Sequence, residues 1–233
     1  MDHPVVAHEE WLAQRKELLA SEKEFTRLRD ELSARRRELP WEGVEKEYVF
    51  AGPDGRTTLS ELFDGRSQLV VYHFMFDPTW EEGCKSCSFW ADNFNPNVVH
   101  LKARDVTLIA VSRAPYAKLA AYEQRMGWGF SWYSTAENDF NFDYGVSFAP
   151  QDEERDGAYN YGSLSPNSPE REGVSVFYRD SSGAVFHTYS TYARGIDVLN
   201  TAYNYLDLVP KGRDEEGGRS QSWVRRHDEY GLD

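Results

Sequence analysis

Cysteine is scarce in this sequence. The 233-residue chain has two, Cys84 and Cys87, three positions apart. Two cannot build the disulfide framework of a small secreted protein. A chain of this length also buries enough core to need no such staple. Long apolar runs are missing too, and none approaches the ~20 residues that cross a bilayer as a helix. No membrane partner is expected. Positive charge is in short supply: 26 Lys and Arg against 39 Asp and Glu leave a net charge of −13. That balance argues against a sequence-independent nucleic-acid partner, which would need a basic face, and against docking on anionic lipid. The opening "MDHPVVAHEEW" lacks a basic segment followed by an apolar stretch, so no signal peptide is expected. A cytoplasmic location follows, where a C-x-x-C is more often catalytic or metal-binding than structural. No internal repeat is found.

What is present suffices for a core: 40% of residues are hydrophobic and 15% aromatic. Residues 8 to 38 carry Trp11, Leu12, Leu18, Leu19, Phe25, Leu28 and Leu32 at roughly helical spacing, uninterrupted until Pro40. They predict a helical arm over 1–40, docked or used as an oligomer contact. From 41 to 210 the pattern predicts one α/β domain. "EKEYVF" reads as a strand, "AGPDG" as a turn and "TTLSELFDG" as a short helix closed by Gly65. "SQLVVYHFMF" reads as a strand buried on both faces. A helix follows the cysteines, interrupted near Asn95-Pro96. "VTLIAVS" is a strand, "RAPYAKLAAYEQRMGWG" a helix ended by Gly127, "FSWYST" a third strand, and "AENDFNFDYGV" a loop or short helix. Residues 150–172 read as a long loop insertion. "GVSVFYRD-SSG-AVFHTYST" is a hairpin, "GIDVLNTAYNYLDLV" a closing helix, and 211–233 a polar tail, loosely held.

The C-x-x-C follows a buried strand, a loop and Gly83. Residues i and i+3 of a helical turn face one side, so the two thiols can meet. A helix N-terminus favours the thiolate of Cys84. The end of a central strand is where open α/β sheets present sites. Cys84 is then the attacking thiolate and Cys87 the resolving thiol. Lys85 would lower the Cys84 pKa, whereas Glu81 and Glu82 would oppose this. A zinc site needs four ligands. The histidines His3, His8, His73, His100, His187 and His227 offer no His-x₃₋₅-His pair except at the terminus, so no metal or other cofactor is expected.

"YVFAGPDGRTTLSELFDGRSQLVVYHFMF…CKSC", "DVTLIAVSRAPYAKLAAYEQRMGW" and "EGVSVFYRDSSGAVFHTYS" resemble the successive units of thioredoxin-like and peroxiredoxin-like chains. More narrowly, "CKSCSFWADNF", "VSRAPYAKL", "RMGW" and "DFNFDYGVSF" resemble the bacterial thioredoxin-like family catalogued as domain of unknown function 899, described as predicted dithiol-disulfide oxidoreductases. The resemblance covers nearly the whole chain. It implies a thioredoxin-like, peroxiredoxin-leaning mixed β-sheet flanked by helices, with an N-terminal helical extension. It also implies thiol-disulfide exchange on a protein or small-molecule disulfide, with a thiol electron donor. Two motifs depart from the wider superfamily. Where thioredoxins carry a proline facing the disulfide, this chain has Gly173-Val174-Ser175. Pro78 and Thr79 do not stand at the peroxiredoxin spacing before Cys84.

Two rivals follow: a peroxiredoxin-type thiol peroxidase with Cys84 peroxidatic, and a non-catalytic binding or scaffold protein on the same fold. Around the cysteines, Ser86 lies between them, Trp80 on the loop is a candidate substrate contact, and Trp90 a core residue. His73 is a core histidine or a proton relay. Asp77 and Asp92 are equal candidates for the proton acceptor of Cys87. Arg113 and Arg125 would bind an anion or form ion pairs. "AYNYGS" could serve as a lid.

Overall fold

The structure is a computed structural model that describes residues 3–152, 155–215 and 220–231. It divides into two units, Met1–Pro40 and Trp41–Asp233. The first is a single helix, α1 (His8–Arg37), none of whose residues is buried. Glu9 and Glu10 in its first turn and Arg35, Arg36 and Arg37 in its last complement the helix dipole. Arg15–Glu22 and the pairs of Arg27 with Glu24 and Glu31 lace its surface.

Among its described residues the second unit holds eight strands: β1 (Glu42–Gly43), β2 (Val49–Gly52), β3 (Gly55–Thr58), β4 (Gln68–His73), β5 (Val106–Ser112), β6 (Ser131–Ser134), β7 (Gly173–Arg179) and β8 (Val185–Tyr192). They form one sheet in the order β1-β8-β7-β4-β5-β6-β2-β3. β4, β5 and β6 run parallel. β7 lies antiparallel against β4, and β8 against β7. A central strand with a parallel neighbour on one side and an antiparallel hairpin on the other is the thioredoxin-like arrangement. The helices are α2 (Lys85–Ala91), α3 (Asn95–Lys102), α4 (Tyr116–Met126), α5 (Phe140–Asp143) and α6 (Thr201–Leu206).

Alternation along β4 sorts its side chains between two cores. Leu69 and Val71 face Phe50, Phe63, Ile109 and Phe177. Tyr72 faces the larger cluster, with Phe74, Trp90, Phe94 and Trp132. β5 divides likewise, with Ile109 and Val111 on one side and Ala110 on the other. Burial on both faces explains why these two strands read as continuous apolar runs.

Several elements differ from the sequence expectation. The strand expected over "EKEYVF" begins only at Val49, as β2, and is preceded by the two-residue β1. "TTLSELFDG" is mostly not helix: Thr57 and Thr58 belong to β3, paired opposite Phe50 and Val49, and only Glu61–Phe63 makes a 3₁₀ turn. β-branched threonines suit the pleat, and Glu61 accepts from the Thr58 amide at 2.7 Å, starting the turn late. The closing helix splits into a 3₁₀ stretch, Ala193–Leu199, and α6, because the Asn200 side chain caps α6 by accepting from the Tyr203 amide at 3.1 Å.

The tail, expected to be loosely held, packs back instead along its described residues 220–231. Val224 is wholly buried. Trp223 meets Phe89 of α2 at 5.4 Å between ring centroids. Arg226 donates to the Gly83 carbonyl at 2.9 Å and to the Tyr122 hydroxyl at 2.7 Å. Two apolar anchors and one cationic anchor in a polar stretch suffice to dock it, and composition averages hide all three.

Candidate active site

β4 ends at His73, and the chain then loops to the cysteines. Each step of this loop is tied down. The Ala114 amide donates to the Phe76 carbonyl at 2.8 Å. Asp77 accepts from the amide and hydroxyl of Thr79 at 2.8 and 2.6 Å. Lys118 donates to the carbonyls of Pro78 and Trp80, both at 2.9 Å. The Cys84 amide donates to the Met75 carbonyl at 3.1 Å. Gly83 packs so closely that a Cβ there would stand 2.8 Å from Phe74 and 3.0 Å from Tyr122. Gly83→Ala should therefore cost about 1–3 kcal/mol, as overpacking does, and displace Cys84. Denaturant midpoints and the Cys84 alkylation rate would check this. An unchanged midpoint and rate would show that the loop has slack.

Cys84 is the N-cap of α2 and is half-buried, whereas Cys87 lies one turn in and is buried. Both are free thiols. The two thiols interact, and the amides of Cys87 and Ser86 at the start of α2 favour the Cys84 thiolate. Together they outweigh burial and lower the Cys84 pKa to about 7. Cys87 moves the opposite way: burial first, then its interaction with Cys84, push it well above the usual thiol range. The Met75 amide donates to its sulfur at 3.4 Å.

Both thiols line a cavity of about 470 Å³. Tyr72, Met75, Trp90 and Ile196 supply its apolar wall. The Trp90 indole is held by the Ile196 carbonyl at 2.9 Å. Arg171 and Glu172, just before β7, and Arg194 and Asp197 add charge. The Tyr72 hydroxyl is buried beside Cys87 and has no oxygen or nitrogen partner among the described residues.

Of the other residues singled out from sequence, Ser86 and Trp90 also line this cavity. The rest sit elsewhere. Lys85 is exposed on the first turn of α2, outside the lining. Trp80 is half-buried against the larger core. His73 points to the opposite face of the sheet. It is fully buried between Asn141 at 3.1 Å and Ser175 at 2.9 Å, and burial lowers its pKa to about 4. That is a satisfied core histidine. Ser175 bonds in turn to Ser190 at 2.8 Å, and Val174 packs in the larger core. Asp77 belongs to an ion-pair cluster with Arg113 and Glu170. Asp92 accepts from Trp128 at 2.8 Å and meets His227 at 2.7 Å. Neither carboxylate lines the cavity of Cys87. Arg125 pairs with Glu82 and Asp228. The tyrosine-rich loop is anchored: Tyr159 is buried, donating to the Glu172 carbonyl at 2.6 Å and accepting from the Ala193 amide at 2.8 Å. Among the described residues no group of three or more His, Cys, Asp or Glu could hold a metal ion. No helix among them is long and apolar enough to cross a membrane.

Sequence reading missed Tyr72, Met75, Arg171, Glu172, Arg194 and Asp197. Two signals were available. Tyr72 is the strand neighbour of His73, and alternation forces one of the two onto the cysteine face. Arg171 and Glu172 immediately precede Gly173-Val174-Ser175, the stretch matched to the thioredoxin proline.

Strand order and paired thiols at a helix start define a thioredoxin-like protein with a vicinal dithiol site. More particularly, the chain belongs to the family described as bacterial protein of unknown function, DUF899, whose profile matches residues 1–230. No curated protein matches it. Among solved structures it is similar to peroxidoxin BcpB from Mycobacterium tuberculosis, with 15% identity, 70% of this chain and 94% of that one covered, and a TM-score of 0.46. It is similar to Xanthomonas campestris peroxiredoxin Q, with 16% identity, 70% and 95% covered, and a TM-score of 0.46. The mitochondrial 2-Cys peroxiredoxin from Plasmodium falciparum matches with 14% identity, 71% and 92% covered, and a TM-score of 0.40.

Proposed function

We propose that this chain is a thiol–disulfide oxidoreductase in which Cys84 attacks and Cys87 resolves. The asymmetry of the two thiols supports this reading. Cys84 is half-buried, lines a cavity and has its pKa lowered to about 7, while Cys87 is buried and pushed up. An attacking thiol is most effective when its pKa lies near ambient pH.

In the first step the Cys84 thiolate attacks one sulfur of a substrate disulfide. A Cys84–substrate disulfide forms, and the other half leaves as a thiolate. Cys87 then loses its proton and attacks the Cys84 sulfur. The intramolecular disulfide forms and the second half leaves. The substrate gains two electrons and the protein loses two. An external thiol returns them. The Tyr72 hydroxyl lies where it can donate to the Cys87 sulfur as charge develops there. Glu172 lines the same cavity, its charge opposes ionisation of both thiols, and it is the carboxylate we assign as proton acceptor. No metal or organic cofactor enters these steps.

Alkylation of the reduced protein against pH tests the assignment. The rate should rise with a midpoint near pH 7, with one label on Cys84 and none on Cys87 before denaturation. Equilibration across glutathione and dithiothreitol buffers should then give one reversible transition between zero and two labels. Two labels at every poise would overturn the redox reading. Peroxide consumption that outruns disulfide reduction under the same thiol reductant would make the site a peroxidase instead.

A further inference from the structure

The cavity that holds Cys84 contains more hydrogen-bond donors than the chain uses. Glu172 accepts from one end of the Arg171 guanidinium at 3.3 Å, and the Pro166 carbonyl accepts from another nitrogen at 3.3 Å. Arg171 Nε is buried and has no hydrogen-bond partner among the described residues. The guanidinium lies 4.8 Å from the centroid of the Tyr159 ring, which is itself buried and bonded at both sides, so the arginine cannot swing out freely. The two carboxylates of the lining are already engaged. Glu172 meets Arg171, and Asp197 meets Arg194 at 3.3 Å and Arg213 at 3.2 Å. What remains is a half-buried guanidinium in the wall of the same cavity as the reactive thiol. Each terminal nitrogen donates once among the described residues and carries a second N–H, for which a ligand acceptor is a natural partner.

The rest of the cavity limits what brings that acceptor. About 470 Å³ is the size of a small-molecule site. Met75, Trp90 and Ile196 offer an apolar surface suited to sulfur and methylene groups. A planar guanidinium edge is matched best by a carboxylate. We propose that the substrate is a small disulfide carrying a carboxylate, which seats on Arg171 while Cys84 attacks the neighbouring sulfur. This rests on the oxidoreductase reading and narrows it from disulfides in general to acidic low-molecular-weight ones.

Three symmetrical disulfides test it: dithiodipropionate, a dianion; hydroxyethyl disulfide, neutral; and cystamine, a dication. Each oxidises the reduced wild-type protein, followed by loss of alkylatable thiols. Each rate is divided by that of the same disulfide with dithiothreitol, which removes intrinsic reactivity. The long-range field of a chain with net charge −13 favours the dication. The seat on Arg171 predicts the reverse order, with the dianion about tenfold or more ahead of the neutral disulfide, as for one charge-assisted hydrogen bond. Arg171→Gln should bring that ratio down towards one, and Arg171→Lys should keep part of it. Equal rates for dianion and neutral, or cystamine fastest, would overturn the carboxylate seat and leave the dithiol chemistry standing. Failure of all three to oxidise the protein would overturn both. The wild-type comparison needs no variant to fold.

Discussion

Cys84→Ser is expected to abolish disulfide reduction, with a rate loss on the order of 10³-fold or more, because a serine hydroxyl does not ionise near neutral pH and is a poor nucleophile towards sulfur. The fold should not suffer, since the thiol is half-buried and serine is smaller. Cys87→Ser should behave differently. Cys84 still attacks, but the buried partner can no longer release the product. A mixed disulfide should accumulate, visible by intact mass as one added substrate half. A third variant separates the electrostatics from the chemistry. The interaction with Cys87 is the largest contribution to the low Cys84 pKa. Cys87→Ala removes it, so the alkylation midpoint should move up from about 7. An unmoved midpoint would mean that the amides of Ser86 and Cys87 suffice. A Cys87→Ser variant that traps nothing while the wild type turns over would remove Cys87 from the mechanism.

The second large effect is structural. Arg113 lies between Asp77, at 2.7 Å, and Glu170, whose side chain is 1% exposed. Ser147 donates to the far oxygen of Glu170 at 2.8 Å, and the guanidinium rests 4.9 Å from the Phe142 ring centroid. Arg113→Met keeps the volume and deletes the charge. Two carboxylates then share a site without their cation, and breaking such a buried network costs about 3–5 kcal/mol. The cost should depend on pH. Burial pushes the Glu170 pKa up to about 7, against the pull of Arg113 and Ser147. In the unfolded chain the same carboxyl titrates near 4.3. Between these values the folded state holds a proton that the unfolded state has lost, so this group's contribution to stability falls as pH rises from about 4.3 to about 7. Removing Arg113 raises the folded pKa further and deepens the penalty at high pH. Urea unfolding at pH 8 should show the full loss. At pH 5, where Glu170 is neutral, the loss should be clearly smaller. An equal loss at both values would assign it to lost packing against Phe142.

Most of the scaffold was legible because its signals are local. The apolar runs Leu69–Phe74 and Val106–Val111, the punctuation by Pro96, Pro115 and Gly127, and the Ser-Ser-Gly turn depend on residues adjacent in the chain. Local physics decides them: alternation, capping, and the φ that proline and glycine permit. The C-x-x-C belongs with these, since its spacing sets two thiols on one turn whatever surrounds them.

The sequence by itself therefore determined the strand order's raw material, the position of the dithiol at a strand-to-helix junction, and the acidic surface. Only the tertiary structure decided which thiol is accessible, and what else faces the pair. Pairing of β7 against β4 carries Arg171 and Glu172, nearly ninety residues downstream, to the cysteines. The pleat gives Tyr72 to the site and turns His73 away. The tail returns through Arg226 to hold Gly83. Each of these is a contact between residues far apart in sequence, where no periodicity or spacing carries the information; it resides in the register of strands and the closure of loops.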